Sequence, residues 1–517
     1  MSKIKLKTNY VSEIIGSEYK NWRKGDVVTI ASQTGSGKTF FIKNNLISYM
    51  NKLNKTTVEK QDYKMLILTN RVALARQTKK DILIKLGIQL PSTLEELDEI
   101  KEIGNVTIMN YQYLLQLLRY DRDSFNMDDY LYVVMDEVHY ILSDSFVGGT
   151  EVVANELFRK ESDSVRILIS ATMEGILDRV NNMDYENIYQ YDTKVDHSYL
   201  EPTFYSRKQQ ILDLIVKDKA NEDKWIWFVS SKQHGEEIKA YLEKKKISCC
   251  FLYRGALRGK NKAHAQKEYE NIINNEKFDS KVLITTAILD AGVNLKDDNI
   301  KNIVCNSWEK RNLVQSIGRV RFESLDKAYM INLFLDIKNK KQINAKIKNI
   351  NNTLGKFELL IEDQEEFERI NRYKLNKLPN GIFLDENNKF TYDKLTYEFL
   401  KEQKEELEQY TKDTIQFCYR ELKWLKVREI PAILDEIEEE QHKDEIKEYL
   451  NSVIGKPLDK SAREELISLI NLTDNRGRKQ KTLKTISSYL EGTYSMTIES
   501  KRLRINETRA IYWIVKK

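Results

Sequence analysis

The stretch VVTIASQTGSGKTFFIKNNL, residues 27–46, passes from an apolar, β-branched run through a glycine-rich turn into a helical pattern. Backbone N–H groups around Gly35, Ser36 and Gly37 can wrap a phosphate chain there, and a helix beginning at the turn adds its partial positive charge. In that geometry Lys38 reaches the outer phosphates and the Thr39 hydroxyl ligates Mg²⁺, with Thr34 in the same loop. Ser32 stands where the general phosphate-loop pattern has its first glycine or alanine. A strand before the turn and a helix after it make a chance glycine turn a poor alternative.

Working outward, LYVVMDEVHYIL (residues 131–142) is a second apolar strand, and it delivers Asp136 and Glu137 at its C-terminal end. Open α/β sheets bind ligands at that end of their strands. Asp136 suits the Mg²⁺ shell, and Glu137 suits a general base acting on the attacking nucleophile. Paired acids at a strand end are ordinarily solvated turn residues; following a phosphate loop, they read as its catalytic complement. His139 alone is ambiguous.

Further short apolar runs at residues 65–68, 106–109 and 166–169 alternate with helical stretches such as 40–50 and 72–86, which predicts a mostly parallel sheet with helices on both faces. A linker is expected around residues 192–204, where Pro202 sits. The alternation then restarts with runs at 225–229, 248–252, 282–285 and 303–305. From about residue 342 the texture changes to long Glu- and Lys-rich helical patterns, read as solvated helix faces.

Bulk composition narrows the class. A chain of 517 residues exceeds one hydrophobic core, so several domains are expected. The 84 basic and 79 acidic residues nearly cancel, so any nucleic-acid affinity must come from local charge. Cys249, Cys250, Cys305 and Cys418 form no C-x-x-C pair, which speaks against a zinc site and suits a reducing cytoplasm. The N-terminus has no signal-peptide pattern, and no apolar run approaches the roughly 18 residues of a membrane span.

Residues 471–517 are the exception in charge, with eleven basic residues against four acidic. GRKQKTLKTISSYLEG (residues 477–492) reads as a basic helix. YSMTIESKRLRINETRAIYWIVKK (residues 494–517) alternates apolar and polar residues about an INET turn, as a β-hairpin does. Helix and basic hairpin fit a winged-helix-like nucleic-acid-binding module with Lys501, Arg502 and Arg504 on phosphates. A basic hairpin packed on the helical region is the plainer alternative.

SQTGSGKT (residues 32–39), DEVH (136–139) and Ser170-Ala171-Thr172 resemble motifs I, II and III of superfamily 2 helicases of the DExH type. TNRVALARQ (69–77), with Thr69 and Arg71, is similar to motif Ia, and IMNYQYLL (108–115), with Tyr111 and Gln112, to motif Ib. WIWFVSSKQHGEEIKAYL (225–242) resembles motif IV. VLITTAILDAGVNL (282–295), with Thr286 and Gly292, resembles motif V, and LVQSIGRVRF (313–322), with Gln315, Gly318 and Arg319, resembles motif VI. The resemblance spans about residues 20–335.

The resemblance implies two RecA-like domains with ATP and Mg²⁺ between them. Motif VI arginines then cross the cleft to the γ-phosphate, with Gln315 beside them and Gly292 on the nucleotide side. Motifs Ia, Ib, IV and V face one nucleic-acid strand. The family's common motif VI has its second arginine three residues after the first. Here that position is Phe322 and the second arginine is Arg321, so Arg319 is the surer finger.

The expected architecture is α/β: two tandem RecA-like P-loop NTPase domains followed by a helical region and a small basic winged-helix-like C-terminal module. Residues 1–195 form domain 1, 196–340 domain 2, 341–470 the helical accessory region and 471–517 the basic module. The expected activity is an ATP-dependent helicase or translocase on DNA, with RNA not excluded, and with no membrane association. The helical region is a candidate docking surface for a protein partner. An ATP-hydrolysing clamp or sensor that does not unwind is the rival. A single-domain P-loop kinase or GTPase leaves residues 205–335 unexplained, and a nuclease fusion lacks a compact Asp/Glu–Lys cluster in the tail.

Overall fold

The computed structural model describes the chain except for residues 1–2, 5–9, 33–34, 57–61, 71, 144–148, 174, 195–196, 254, 257–261, 287–294, 321–324, 327–329, 373–376, 386–387, 428–429, 474–477 and 506–507. Residues 1–431 form one compact unit and residues 432–517 another.

Domain 1 is built on β1 (Val27–Ala31), β2 (Met65–Thr69), β3 (Val106–Asn110), β4 (Tyr132–Asp136), β5 (Val165–Ser170) and β6 (Ile188–Asp192). They pair in the order β3-β2-β4-β5-β1-β6, all parallel, with the two-residue strand Glu102–Ile103 antiparallel beside β3. β2 and β5 are buried at every position, as a parallel sheet covered on both faces requires. Register brings the functional strand ends together: Ala31 pairs with Ser170, and Asp136 with Ile169. The helix leaving β1 runs from Lys38–Phe41 through a π-helical stretch, Ile42–Ile47, into Ser48–Thr56. After β4 come the short helix α1 (Tyr140–Ser143) and α2 (Thr150–Leu157).

Domain 2 repeats the plan with β7 (Leu200–Tyr205), β8 (Lys224–Phe228), β9 (Cys249–Leu252), β10 (Val282–Thr285), β11 (Ile300–Cys305) and β12 (Ile331–Asp336). Their order is β9-β10-β8-β11-β12-β7, again parallel. α3 (Lys310–Ile317) follows β11. Of the linker expected over residues 192–204, β6 takes Asp192 and β7 takes residues 200–204, which leaves residues 193–199 between the two strands. Pro202 lies inside β7: it gives up one ladder donor, but its side chain is buried between those of Leu200 and Phe204 on the same face.

The helical region comprises α4 (Lys340–Glu362), α5 (Lys394–Tyr410) and α6 (Ile415–Leu425), with a small antiparallel pair, Ile382–Leu384 and Phe390–Tyr392. α4 and α5 share a core of Ile343, Ile350, Leu354 and Leu407. α5 packs on α1 and α2 of domain 1, and α6 packs on α3 of domain 2. Asp393, which caps α5 through Thr396 N–H at 2.8 Å, also accepts the Glu151 N–H at 2.9 Å. One helical pair therefore touches both domains.

The C-terminal unit begins earlier than the charge pattern implied. It contains α7 (Leu434–Val453), β13 (Pro457–Leu458), α8 (Lys460–Ile470), α9 (Leu483–Tyr494), β14 (Thr497–Ile505) and β15 (Thr508–Lys516), so α7 and α8 belong to it. Its sheet has the antiparallel order β13-β15-β14. Ile446, Leu450, Leu466, Ile486, Leu490 and Val515 close one core, which a boundary at residue 471 would cut in two. Charge marks the surface of such a unit, whereas its extent is set by shared apolar burial.

Candidate active site

Gly35 and Gly37 have φ of 92° and 80°, a conformation that favours glycine. A Cβ at Gly37 would stand 3.3 Å from Tyr10 Cδ1. The loop is held from behind, since the Ser36 carbonyl accepts the Val11 N–H at 2.9 Å and Ser36 is fully buried. The helix starting at Lys38 has no side-chain cap at Gly37. Ser32 is buried and its hydroxyl has no hydrogen-bond partner among the described residues, while Thr39 is exposed beside Lys38. Thr34 lies outside the described residues.

β4 ends on the carboxylates. Glu137 has φ 52°, left-handed for a side chain with a Cβ, at a cost of about 1–3 kcal/mol that the surrounding contacts must offset. Those contacts are specific. Lys38 Nζ lies 3.2 Å from Glu137 Oε1 and 3.9 Å from Asp136 Oδ1. Burial works against the Lys38 charge, but the two carboxylates outweigh it and the ammonium titrates above the ordinary lysine range. Burial and the neighbouring Glu137 push Asp136 up to about 6, against the pull of Lys38. Glu137 moves the other way: burial opposes its charge, yet Lys38, His139 and Arg319 hold it below the ordinary range. The two acids are therefore inequivalent.

His139, ambiguous in sequence, has a definite position. Its Nδ1 is 2.7 Å from Ser170 Oγ and 3.3 Å from Glu137 Oε2, and Ser170 Oγ donates to the Thr172 carbonyl at 2.9 Å. The turn after β4 is thereby tied to the turn after β5. Ser32 N–H donates to the Ser170 carbonyl at 2.8 Å, which joins the phosphate loop to the same turn.

Domain 2 meets this cluster through α3. The helix ends at Ile317 and Gly318, so Arg319 follows the helix instead of lying on it, and its carbonyl accepts the Leu295 N–H at 2.8 Å. Arg319 is 7% exposed and acts electrostatically on both Lys38 and Glu137. Gln315 is buried on α3. Arg321 and Gly292 lie outside the described residues. Beside the cluster, a cavity of about 990 Å³ opens among His139 and Thr172 of domain 1, Trp308 and Arg311 of domain 2, and Arg420 and Trp424 of α6. None of Gly35–Thr39 lines it, so it is distinct from the phosphate loop.

Two residues expected to face the nucleic-acid strand have buried side chains. Thr69 and Tyr111 are fully buried, and Tyr111 Oη donates to the Asp136 carbonyl at 3.0 Å. Burial, with Asp136 and Glu137 nearby, pushes the Tyr111 phenol well above its usual range. Tyr111 opens the helix after β3 and belongs to the domain core, and Thr69 is the last residue of β2. Gln112 is exposed on the first turn after β3, and Thr286 is half-buried at the end of β10, its N–H on the Leu252 carbonyl at 3.1 Å. Arg71 lies outside the described residues.

In the C-terminal unit, Lys501 and Lys516 both pair with Glu499, at 2.8 and 2.7 Å. Arg502 and Arg504 alternate with Lys501 along β14 and therefore occupy the other face of the hairpin. Both are exposed and form no ion pair among the described residues.

Two parallel α/β sheets in tandem, with a glycine-rich turn after the first large strand of one and an arginine of the other acting on Lys38, have the build of a two-domain P-loop NTPase. The family model described as DEAD/DEAH box helicase matches residues 15–180, and that described as helicase conserved C-terminal domain matches residues 206–322. Together they take in more than half of the chain, which belongs to the superfamily 2 helicases, enzymes that hydrolyse ATP to act on nucleic acid.

Among solved structures the chain is similar to S. cerevisiae Dbp5 bound to RNA and ADP BeF3, with 17% identity over 62% of this chain and 81% of that one, at a TM-score of 0.41. It is also similar to Mss116p bound to ssRNA and AMP-PNP, with 19% identity over 63% and 69% at 0.41. A DEAD box protein from Methanococcus jannaschii matches with 16% identity over 65% and 89% at 0.36. At these identities the likeness carries no residue roles. No curated relative matches the sequence. Among the described residues, no helix is long and apolar enough to cross a membrane.

Proposed function

We propose that this helicase moves along a nucleic-acid strand by closing and opening its two RecA-like domains around MgATP, with the C-terminal unit holding the nucleic acid. The observation that carries the reading is Lys38 held between Asp136 and Glu137 while Arg319 from the other domain acts on the same group. Such a cluster of opposed charges exchanges well with phosphate oxygens and a cation.

The donor set fits Mg²⁺, since Thr39 and Asp136 offer hard oxygen ligands. When bound, Mg²⁺ neutralises charge on the outer phosphates. Lys38 and the N–H groups of Gly35–Thr39 hold the phosphates in place. Glu137, kept ionised by Lys38 and His139, accepts a proton from the attacking water. Arg319 stabilises charge that develops in the transition state, and only with the cleft closed. Hydrolysis is thereby coupled to domain movement.

In the C-terminal unit the order helix–strand–helix–helix–strand–strand supports a winged-helix assignment. Exposed Arg502 and Arg504 support contact with a phosphate backbone. On that basis DNA is the favoured partner over RNA, and four free, buried cysteines favour the cytoplasm. The test is ATPase activity without nucleic acid and then with single-stranded DNA, duplex DNA and RNA, followed by duplex unwinding. Stimulation with unwinding supports a motor. Stimulation without unwinding selects the clamp, and no stimulation by any of them refutes the coupling.

A further inference from the structure

We propose that Arg311 and Tyr140 form a second contact between the two domains, one that orients Arg319 on Glu137 and makes both of them positioning residues for ATP turnover. The inference rests on the reading of Glu137 as base and Arg319 as the crossing arginine.

The Arg311 guanidinium lies 5.0 Å over the centre of the Tyr140 ring. Tyr140 follows the DEVH turn directly and is 6% exposed, so the cation–ring contact is largely withdrawn from water, where it is strongest. The ring packs on His139 at 4.6 Å between centroids, and His139 in turn contacts Glu137 and Ser170. The Tyr140 N–H also donates to the Glu137 carbonyl at 3.0 Å, closing the left-handed turn. Movement of Tyr140 is therefore felt at the base.

Arg311 is the second residue of α3, and Arg319 follows the other end of the same helix. One contact between two rigid bodies fixes a distance and leaves the angle free. Contacts at both ends of α3 fix the angle as well, and a displacement of about 1 Å at a reacting group can cost on the order of a hundredfold in rate. Arg311 has a carboxylate of its own, Glu309 Oε2 at 3.8 Å, and the cavity wall opposite carries Glu398, Glu402 and Glu406 of α5. None of these replaces an aromatic face attached to the catalytic turn.

The experiment is steady-state ATP hydrolysis by the full chain, with single-stranded DNA and RNA each present in separate series. Arg311→Gln and Tyr140→Leu are each expected to lower kcat about tenfold while the KM for ATP stays within about twofold. Tyr140→Phe keeps the ring and is expected to stay close to wild type. The double variant should be no slower than either single, since both remove one interaction. Wild-type kcat in Arg311→Gln, or losses that multiply in the double variant, overturns the proposal. Should Tyr140→Leu fail to fold, Arg311→Gln against Tyr140→Phe still decides it. Glu137→Gln and Arg319→Ala run alongside: if those keep full turnover, the underlying assignment of the base and crossing arginine has failed instead.

Discussion

Domains 1 and 2 each follow the first large strand of a parallel sheet with a strand-to-helix turn, and the two turns are built differently. In domain 1 the turn after β1, which pairs with β5, has two left-handed glycines and a helix start without a side-chain cap. In domain 2 the turn after β7, which pairs with β12, leads into the helix Lys208–Lys217. There Gln210 Oε1 accepts the N–H of Ser206 at 3.2 Å and of Arg207 at 3.0 Å. Backbone donors at the domain 2 turn are met by a side chain of the following helix, whereas the helix start in domain 1 has no side-chain cap. Two parallel sheets with different strand orders thus end their first strands differently: the turn in domain 1 has no side-chain cap, and the turn in domain 2 is capped from its own helix. The C-terminal hairpin repeats the contrast in small, with Lys501 matched by Glu499, and Arg502 and Arg504 without an ion pair among the described residues.

The sharpest break of that comparison lies at the domain 1 turn. Lys38→Ala and Glu137→Gln are each expected to remove most ATP turnover. Lys38→Ala should also weaken MgATP binding, because a charge at the phosphates is lost. Glu137→Gln should bind normally, because the amide keeps the shape but takes no proton. Nucleotide titration and turnover on both variants check this, and undiminished turnover in Glu137→Gln would move the base elsewhere.

Next in size is the charge supplied by domain 2. Arg319→Ala should reduce stimulated turnover on the order of a thousandfold with nucleotide affinity largely retained. Arg321→Ala is the comparison. A near-normal Arg319→Ala beside an inactive Arg321→Ala would reverse their order.

A smaller effect is expected at the hairpin. Arg502→Ala and Arg504→Ala should each lower the slope of log affinity against log salt by about one, for loss of one phosphate contact. Lys501→Ala should change it less, because Glu499 already holds that charge. Equal losses at all three positions would show that pairing does not withhold Lys501. The smallest effect belongs to the domain 2 turn: Gln210→Ala should cost about 1 kcal/mol of stability, as loss of a helix cap does, and leave the KM for ATP unchanged. A thermal melt and a KM measurement check both halves.

Much of the site was legible because its residues lie close together in sequence. Gly35–Thr39 and Asp136–His139 are contiguous motifs whose spacing expresses local backbone geometry, and β1 and β10 match the apolar runs residue for residue. β6, β7 and the start of the C-terminal unit were not legible. β6 is only partly buried and polar at Gln190 and Asp192, β7 contains a proline, and α7 has a charged face that hides its three buried apolar positions.

The sequence by itself determined that there is a phosphate loop, an acidic partner for it and a second α/β domain bearing arginines, since each is encoded by a short pattern. Only the tertiary structure decided that Thr69 and Tyr111 turn inward, that His139 bridges Glu137 and Ser170, and that α3 stops before Arg319. The same holds for Arg311 on Tyr140, a pair 171 positions apart. The physical reason is range: backbone preferences act over a few neighbouring residues, whereas burial and charge pairing depend on which distant segments the fold packs together.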